Sequence, residues 1–121
     1  NRTNLDGALL GTGMPFNSHQ DDKLPGYMQT LSELASQTAG IRRAGSAALD
    51  LAYVAAGRFD AFWEMGLKPW DIAAGLLLIQ EAGGLVSDFT GGNQYMESGD
   101  IVCGNPKCFK QVLKVVNQYL A

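Results

Sequence analysis

The stretch from Phe59 to Phe89, FDAFWEMGLKPWDIAAGLLLIQEAGGLVSDF, decides the fold. Its opening is aromatic and apolar, and residues 59–63 read as a strand with Phe59, Ala61 and Trp63 on one face by the period of two. Glu64 stands at the far end of that strand. Asp71 then precedes a strongly apolar helix over residues 72–82, which stops at Gly83-Gly84. Residues 85–89 read as the next strand and Thr90-Gly91-Gly92-Asn93 as a turn. A strand, a helix and a strand in succession require a helix packed on a sheet.

Upstream, residues 8–12 form a short apolar run broken by Gly11, Gly13 and Pro15, which reads as a buried strand and a loop. A helix follows, with Asp22 as its cap and Pro25 in its first turn. Leu24, Tyr27, Met28, Leu31 and Ala35 recur at helical spacing, and Gly40 closes it. Residues 41–43 begin a short strand leading through Gly45 to Ser46, the N-cap of a helix that runs to residue 56, is apolar almost all round and ends at Gly57. Downstream, residues 101–103 are one more strand. The last helix, from Pro106, places Phe109, Val112, Val116 and Leu120 on one stripe, with Lys107, Lys110, Lys114 and Gln118 outside it.

This alternation predicts an α/β fold, a mainly parallel sheet between helix layers, in a single domain over residues 1–121 with no linker or repeat. The helices beginning at Ser46 and Ile72 have little polar surface, so they are expected to be more buried than the last one. In such sheets ligands collect where strands end and helices begin, because free N–H groups and the helix dipole favour negative charge there.

Composition narrows the function classes. Hydrophobic residues at 46% and charged residues at 17% suit a packed interior rather than a solvated polymer. A net charge of -3, with Arg42-Arg43 as the longest basic run, gives no attraction to a phosphate backbone, so no direct nucleic-acid partner is expected. The apolar runs fall far short of the roughly 20 residues that cross a bilayer, so no membrane partner is expected either. Cys103 and Cys108 read as reduced, cytoplasmic thiols, and the lone His19 as a surface residue without co-ligands. The chain opens at Asn1 and enters a strand almost at once, as a piece cut from a longer chain would.

Glu64 and Asp71, seven residues apart, could meet at one sheet edge. Asp71 reads as a helix N-cap accepting the N–H of Ala73 or Ala74, which leaves one oxygen for a hard cation such as Mg2+. Taken alone, Glu64 is a solvated strand end and Trp70 a core aromatic whose indole N–H needs a partner. Gly11-x-Gly13 lacks the third Gly or following Lys of a phosphate loop and reads as a turn. Arg42 and Arg43 alternate in direction, so one faces a ligand edge and the other solvent; spacing does not say which.

Trp70-Asp71-Ile72-Ala73-Ala74-Gly75, continued by Glu81-Ala82-Gly83-Gly84, is similar to the second signature of the inositol monophosphatase family. Arg42-Arg43-Ala44-Gly45-Ser46-Ala47-Ala48 resembles that family's Gly-Ser/Thr-Ala-Ala segment, and Glu64-Met65-Gly66 matches the element between them. The resemblance runs from Leu9-Leu10-Gly11-Thr12-Gly13 to the last helix and is closest to bacterial members. It implies the C-terminal half of the fold of a Mg2+-dependent, cytoplasmic phosphomonoesterase of a lithium-sensitive family, homodimeric when intact, that hydrolyses myo-inositol monophosphate. It implies that Asp71 is a ligand of Mg2+, that Glu64 accepts from substrate hydroxyls, that Gly45, Ser46 and Ala47 line the sugar-alcohol site, and that Arg42 lies near the substrate. Ser46 keeps the hydroxyl of a threonine seen in some relatives.

The family's first signature, Asp-Pro-Ile/Leu-Asp-Gly-Thr/Ser, and an upstream metal-binding glutamate occur nowhere in the chain. No catalytic residue is therefore expected here, and the chain alone is expected to be inactive and to bind Mg2+ weakly. A sibling sugar or nucleotide phosphatase is one alternative. An interaction module of the bacterial transcription machinery is the other.

Overall fold

The computed structural model describes residues 5–13, 23–42, 51 and 53–121. In chain order the elements are β1 (Leu9–Thr12), α1 (Leu24–Gln37), β2 (Gly40–Arg42), β3 (Ala61–Glu64), α2 (Pro69–Glu81), β4 (Leu85–Ser87), α3 (Tyr95–Ser98), β5 (Ile101–Gly104) and α4 (Pro106–Leu120). The strands form one sheet in the order β2-β1-β3-β5-β4. β1 pairs parallel with β2 and β3, whereas β5 pairs antiparallel with both β3 and β4. Against the mainly parallel sheet expected, two of the four pairings among the described residues are parallel, both in the β2-β1-β3 half. A parallel return needs a crossover helix. Between β4 and β5 there is only the single turn of α3, so the chain reverses and β5 slots between β3 and β4 against their direction.

The sheet lies between helix layers, as read from the alternation. On one face Leu10, Ala61, Trp63 and Val102 pack with Tyr27 and Leu34 of α1 and with Cys108, Phe109, Val112, Val116 and Leu120 of α4. On the other, Phe62, Ile101 and Cys103 pack with Ile72 and Ile79 of α2 and with Leu51 and Val54. α4 follows the sequence closely: Asn105 caps it by accepting the Cys108 N–H at 3.0 Å, and its apolar stripe is buried while Lys107, Lys110, Lys114 and Gln118 are exposed.

Four expectations need correction. α1 buries Tyr27, Thr30 and Leu34, leaving Leu24, Met28 and Ala35 exposed. Its rotation is set by Gly26, where an added Cβ would come within 3.1 Å of Leu120 Cδ2, so the helix meets α4 through the face beside Gly26. α1 also ends at Gln37 with Thr38 extended, and Gly40 opens β2 instead of closing the helix. β3 begins only at Ala61, because Asp60 turns to exchange hydrogen bonds with Leu9: its carboxylate accepts the Leu9 N–H at 2.9 Å and its own N–H donates to the Leu9 carbonyl at 2.8 Å. The alternation therefore does not reach back to Phe59, which packs with Phe62 rather than with Ala61 and Trp63.

The fourth concerns α2. It starts three residues earlier than expected, at Pro69, and it is less buried than α4, not more. Ile72, Gly75 and Ile79 meet the sheet side, while Trp70 is 72% exposed, Leu77 60% and Leu78 48%. Trp70 is a surface residue, not a core aromatic. Of the helix expected from Ser46, residues 51 and 53–55 are described and helical, with Leu51 and Val54 buried and Gly57 beyond them at φ +77. Asp22, His19, Arg43, Gly45, Ser46 and Ala47 lie outside the described residues. Among the described residues no helix is long and apolar enough to cross a membrane.

Candidate functional site

The parallel strands β2, β1 and β3 end at the same edge of the sheet. Gly11 stands opposite Arg42 on one side and Phe62 on the other, so alternation sends Arg42, Gly11, Gly13, Phe62 and Glu64 to the face that α2 covers. The structure thereby assigns the exposed Arg42 to the α2 face. The Thr12 hydroxyl donates to the Trp63 carbonyl at 2.9 Å and ties the ends of β1 and β3 together. Glu64, half-buried, closes β3 and lies directly over Gly13, where a Cβ would come within 2.7 Å of its Oε2 and closer still to Oε1. Gly11 makes the same kind of room for the Phe59 ring, 2.8 Å from an added Cβ. The Gly11-x-Gly13 pair, read as a turn, serves close packing.

Beyond Glu64 the chain crosses the sheet edge. Met65 is buried in the core shared with α1 and α4, Leu67 in the core under α2, and Gly66 between them takes φ +74. α2 begins next, with Asp71 as its third residue. Asp71 Oδ2 accepts the Lys68 backbone N–H at 3.2 Å, and the Asp71 N–H donates back to the Lys68 carbonyl at 2.9 Å. This corrects the expected bond to Ala73 or Ala74: Asp71 reaches backwards from the first turn, in the manner of a capping box, and its negative charge there suits the helix dipole. Glu64 and Asp71 thus lie at one edge of the sheet and on one face of it.

The donor chemistry of Asp71 fits Mg2+ in part. One oxygen holds the helix start and the other is left for a hard cation, which usually keeps its waters and takes one or two carboxylates together with phosphate oxygens. Among the described residues no group of three or more His, Cys, Asp or Glu could hold a metal ion by itself. Asp71 suits a site completed by groups from elsewhere, not a cage.

Sequence reasoning passed over Asp88 and Asp100. Asp88 is buried at the end of β4 and gathers the loop that follows: its Oδ1 accepts the Thr90 N–H at 2.9 Å, the Thr90 hydroxyl at 2.7 Å and the Gly92 N–H at 2.8 Å, and its Oδ2 accepts the Gln94 N–H at 3.0 Å. Burial pushes its carboxyl up, but these bonds outweigh burial and hold it below its ordinary value. Asp100 takes the Gly66 N–H at 3.1 Å. Burial raises its carboxyl above the ordinary value against that bond and the charge of Lys23, with the charge of Asp88 adding to the rise. The Ser87-Asp88 and Ser98-Gly99-Asp100 turns carried the only signal, and turn composition does not reveal what a turn touches.

A cleft of about 980 Å3 opens at the opposite end of the sheet, between Arg58, Asp60, Gly83, Gly84 and Asn105. None of the candidate site residues Arg42, Glu64 and Asp71 lines it.

Residues 1–121 match the profile of the inositol monophosphatase family. A Nus factor SuhB from Pseudomonas aeruginosa is 62% identical over 119 residues, covering 98% of this chain and 44% of the relative. The crystal structure of the extragenic suppressor protein SuhB from Bartonella henselae superposes with a TM-score of 0.89 at 41% identity, covering 97% of this chain and 44% of that one. An inositol monophosphatase from Anabaena gives 0.87 at 35% identity, covering 98% and 48%. The chain therefore spans less than half the length of the proteins it matches.

Proposed function

Since the chain belongs to the inositol monophosphatase family, we propose that it is the C-terminal part of a Mg2+-dependent phosphomonoesterase that converts myo-inositol monophosphate to inositol and phosphate. The observation that carries this reading is the gathering of Arg42, Glu64 and the first turn of α2, with Asp71, on one edge and one face of the sheet. Asp71 is the residue that would hold the metal, whose chemistry is to neutralise phosphate charge as the ester bond breaks. Glu64, an acceptor when ionised, orients substrate hydroxyls. Arg42 supplies a fixed positive charge at the rim. In this reading Gly45, Ser46 and Ala47 line the sugar-alcohol site, as the family resemblance of their segment implies. The intact enzyme is a cytoplasmic homodimer in this reading.

The remaining part of the enzyme, outside this chain, supplies the catalytic groups and covers α2. Trp70, Leu77 and Leu78 fall on one helical stripe that nothing among the described residues covers, and the chain matches only 44% of its relative's length. Leu77→Lys should lower the stability of the intact protein by about 2–3 kcal/mol, the loss of a buried leucine's transfer energy and contacts. In the isolated chain it should be near neutral. Urea midpoints of both proteins, with and without the substitution, check this; equal small effects would leave the stripe uncovered.

The direct test of function is hydrolysis by the intact protein in millimolar Mg2+. Inositol 1-phosphate should be preferred over fructose 1,6-bisphosphate and over a nucleoside 3',5'-bisphosphate. A strong preference for the bisphosphorylated nucleotide would move the protein to a sibling activity.

The Nus factor name of the Pseudomonas relative favours a second reading, an interaction module of the transcription machinery. A pull-down from bacterial lysate with wild type and an Asp71→Asn parent separates the two: partners retained while hydrolysis is lost would make the functions independent.

A further inference from the structure

Between the two carboxylates of the site runs a loop whose shape is set from across the sheet. β5 pairs antiparallel with β3, Ile101 opposite Glu64, so the residues just before β5 meet the residues just after β3. There the Gly66 N–H donates to Asp100 Oδ1 at 3.1 Å and the Leu67 N–H donates to the Gly99 carbonyl at 2.9 Å. The contact is close. Gly99 has φ +76, and a Cβ on it would lie 2.7 Å from Leu67 N and 3.0 Å from the Gly66 carbonyl carbon, and closer still to the Leu67 carbonyl oxygen. Only glycine lets the two backbones approach so far.

The far side of this contact is itself held. The Gly99 N–H donates to the Tyr95 carbonyl at 2.9 Å and the Asp100 N–H to the Ser98 hydroxyl at 3.1 Å, fastening both residues to α3. Gln94, at the N-cap position just before α3, has its N–H bound by Asp88. A series of hydrogen bonds thus runs from Asp88 through α3 to the loop 65–68, whose last residue, Lys68, is the one that Asp71 caps.

We propose that Gly99 and Asp100 are positioning residues: by fixing the backbone at Gly66 and Leu67 they set where Asp71 stands relative to Glu64. The inference rests on the reading of Asp71 as a metal ligand and Glu64 as a substrate acceptor. It does not make Asp100 touch substrate or metal. Asp100 acts through the backbone amide of Gly66 and Gly99 through that of Leu67, and the six residues between the carboxylates are further held by the buried side chains of Met65 and Leu67 and by the bonds between Lys68 and Asp71. Ligand geometry is sensitive to such outer supports.

The test uses the intact protein with Asp100→Ala, Asp100→Asn and Asp71→Asn. Asp100→Ala removes the acceptor for Gly66; Asp100→Asn keeps one. In Asp100→Ala, amide exchange should speed up at Gly66 to Asp71 while the core of α4 keeps its protection, and the Mg2+ concentration for half-maximal activity should rise about tenfold. Asp100→Asn should restore both. Unchanged exchange at Gly66 to Asp71 in Asp100→Ala overturns the proposal, as does faster exchange with an unaltered Mg2+ requirement. If Asp71→Asn itself leaves the Mg2+ requirement and activity untouched, the metal reading of Asp71 fails instead, and the exchange data still decide whether Asp100 fixes the loop.

Discussion

Mixed with the separately expressed N-terminal part of the same enzyme, the 121-residue chain should acquire Mg2+-dependent hydrolysis of inositol 1-phosphate that it lacks on its own. Asp71 alone offers Mg2+ one carboxylate oxygen beyond the one that caps α2, too little to displace its waters. No described cluster adds the rest. Nor does the chain contain a group expected to position the attacking water, and general electrostatic attraction does not replace that geometry. In the mixture, Asp71→Asn should lower turnover by about a thousandfold, about 4 kcal/mol of barrier, for loss of a ligand charge. Asn retains an oxygen that accepts the Lys68 N–H, so the helix start survives and the loss reports the charge. Steady-state assays of the chain, the mixture and the Asp71→Asn mixture check each step. Robust turnover by the chain alone, abolished by Asp71→Asn, would place the catalytic centre within it.

Replacing Asp88 with alanine should cost the protein about 2–4 kcal/mol, because four hydrogen bonds to one buried carboxylate disappear together while the freed N–H groups of the exposed Thr90, Gly92 and Gln94 recover water. The pH dependence fixes the cause. The folded pKa of Asp88 is depressed below its ordinary 3.8, so its contribution is fully present above that value and is lost as pH falls through the lower folded value. Wild type should therefore lose stability on acidification below about pH 4, and the difference from Asp88→Ala should shrink over the same range. Urea midpoints between neutral pH and strong acid measure both. A difference that stays constant with pH would assign the loss to packing instead of charge.

The sequence resolved the elements whose signals are local. The apolar stripe of α4, the Gly83-Gly84 stop after α2 and the strands read at residues 8–12 and 101–103 all depend on neighbours within a few residues, and each stands within a residue of where the pattern put it. The motif around Trp70-Asp71 likewise led to the family, since its residues are contiguous. Decisions that join distant segments were not legible. Pairing direction depended on whether a helix or a short turn linked β4 to β5; the rotation of α1 depended on Gly26 against Leu120; the start of β3 depended on Asp60 bonding Leu9. The burial of α2 could not be read from its composition, because an apolar helix is buried only where a partner covers it, and Trp70, Leu77 and Leu78 are exposed among the described residues.

In the candidate site the division is the same. The sequence by itself named Glu64, Asp71 and Arg42 through residue type and motif, but not their common face, which follows from strand register and sheet order. Only the tertiary structure brought Gly99 and Asp100 against the loop that separates the two carboxylates, since residues more than thirty positions apart meet there through an antiparallel ladder that no local period encodes.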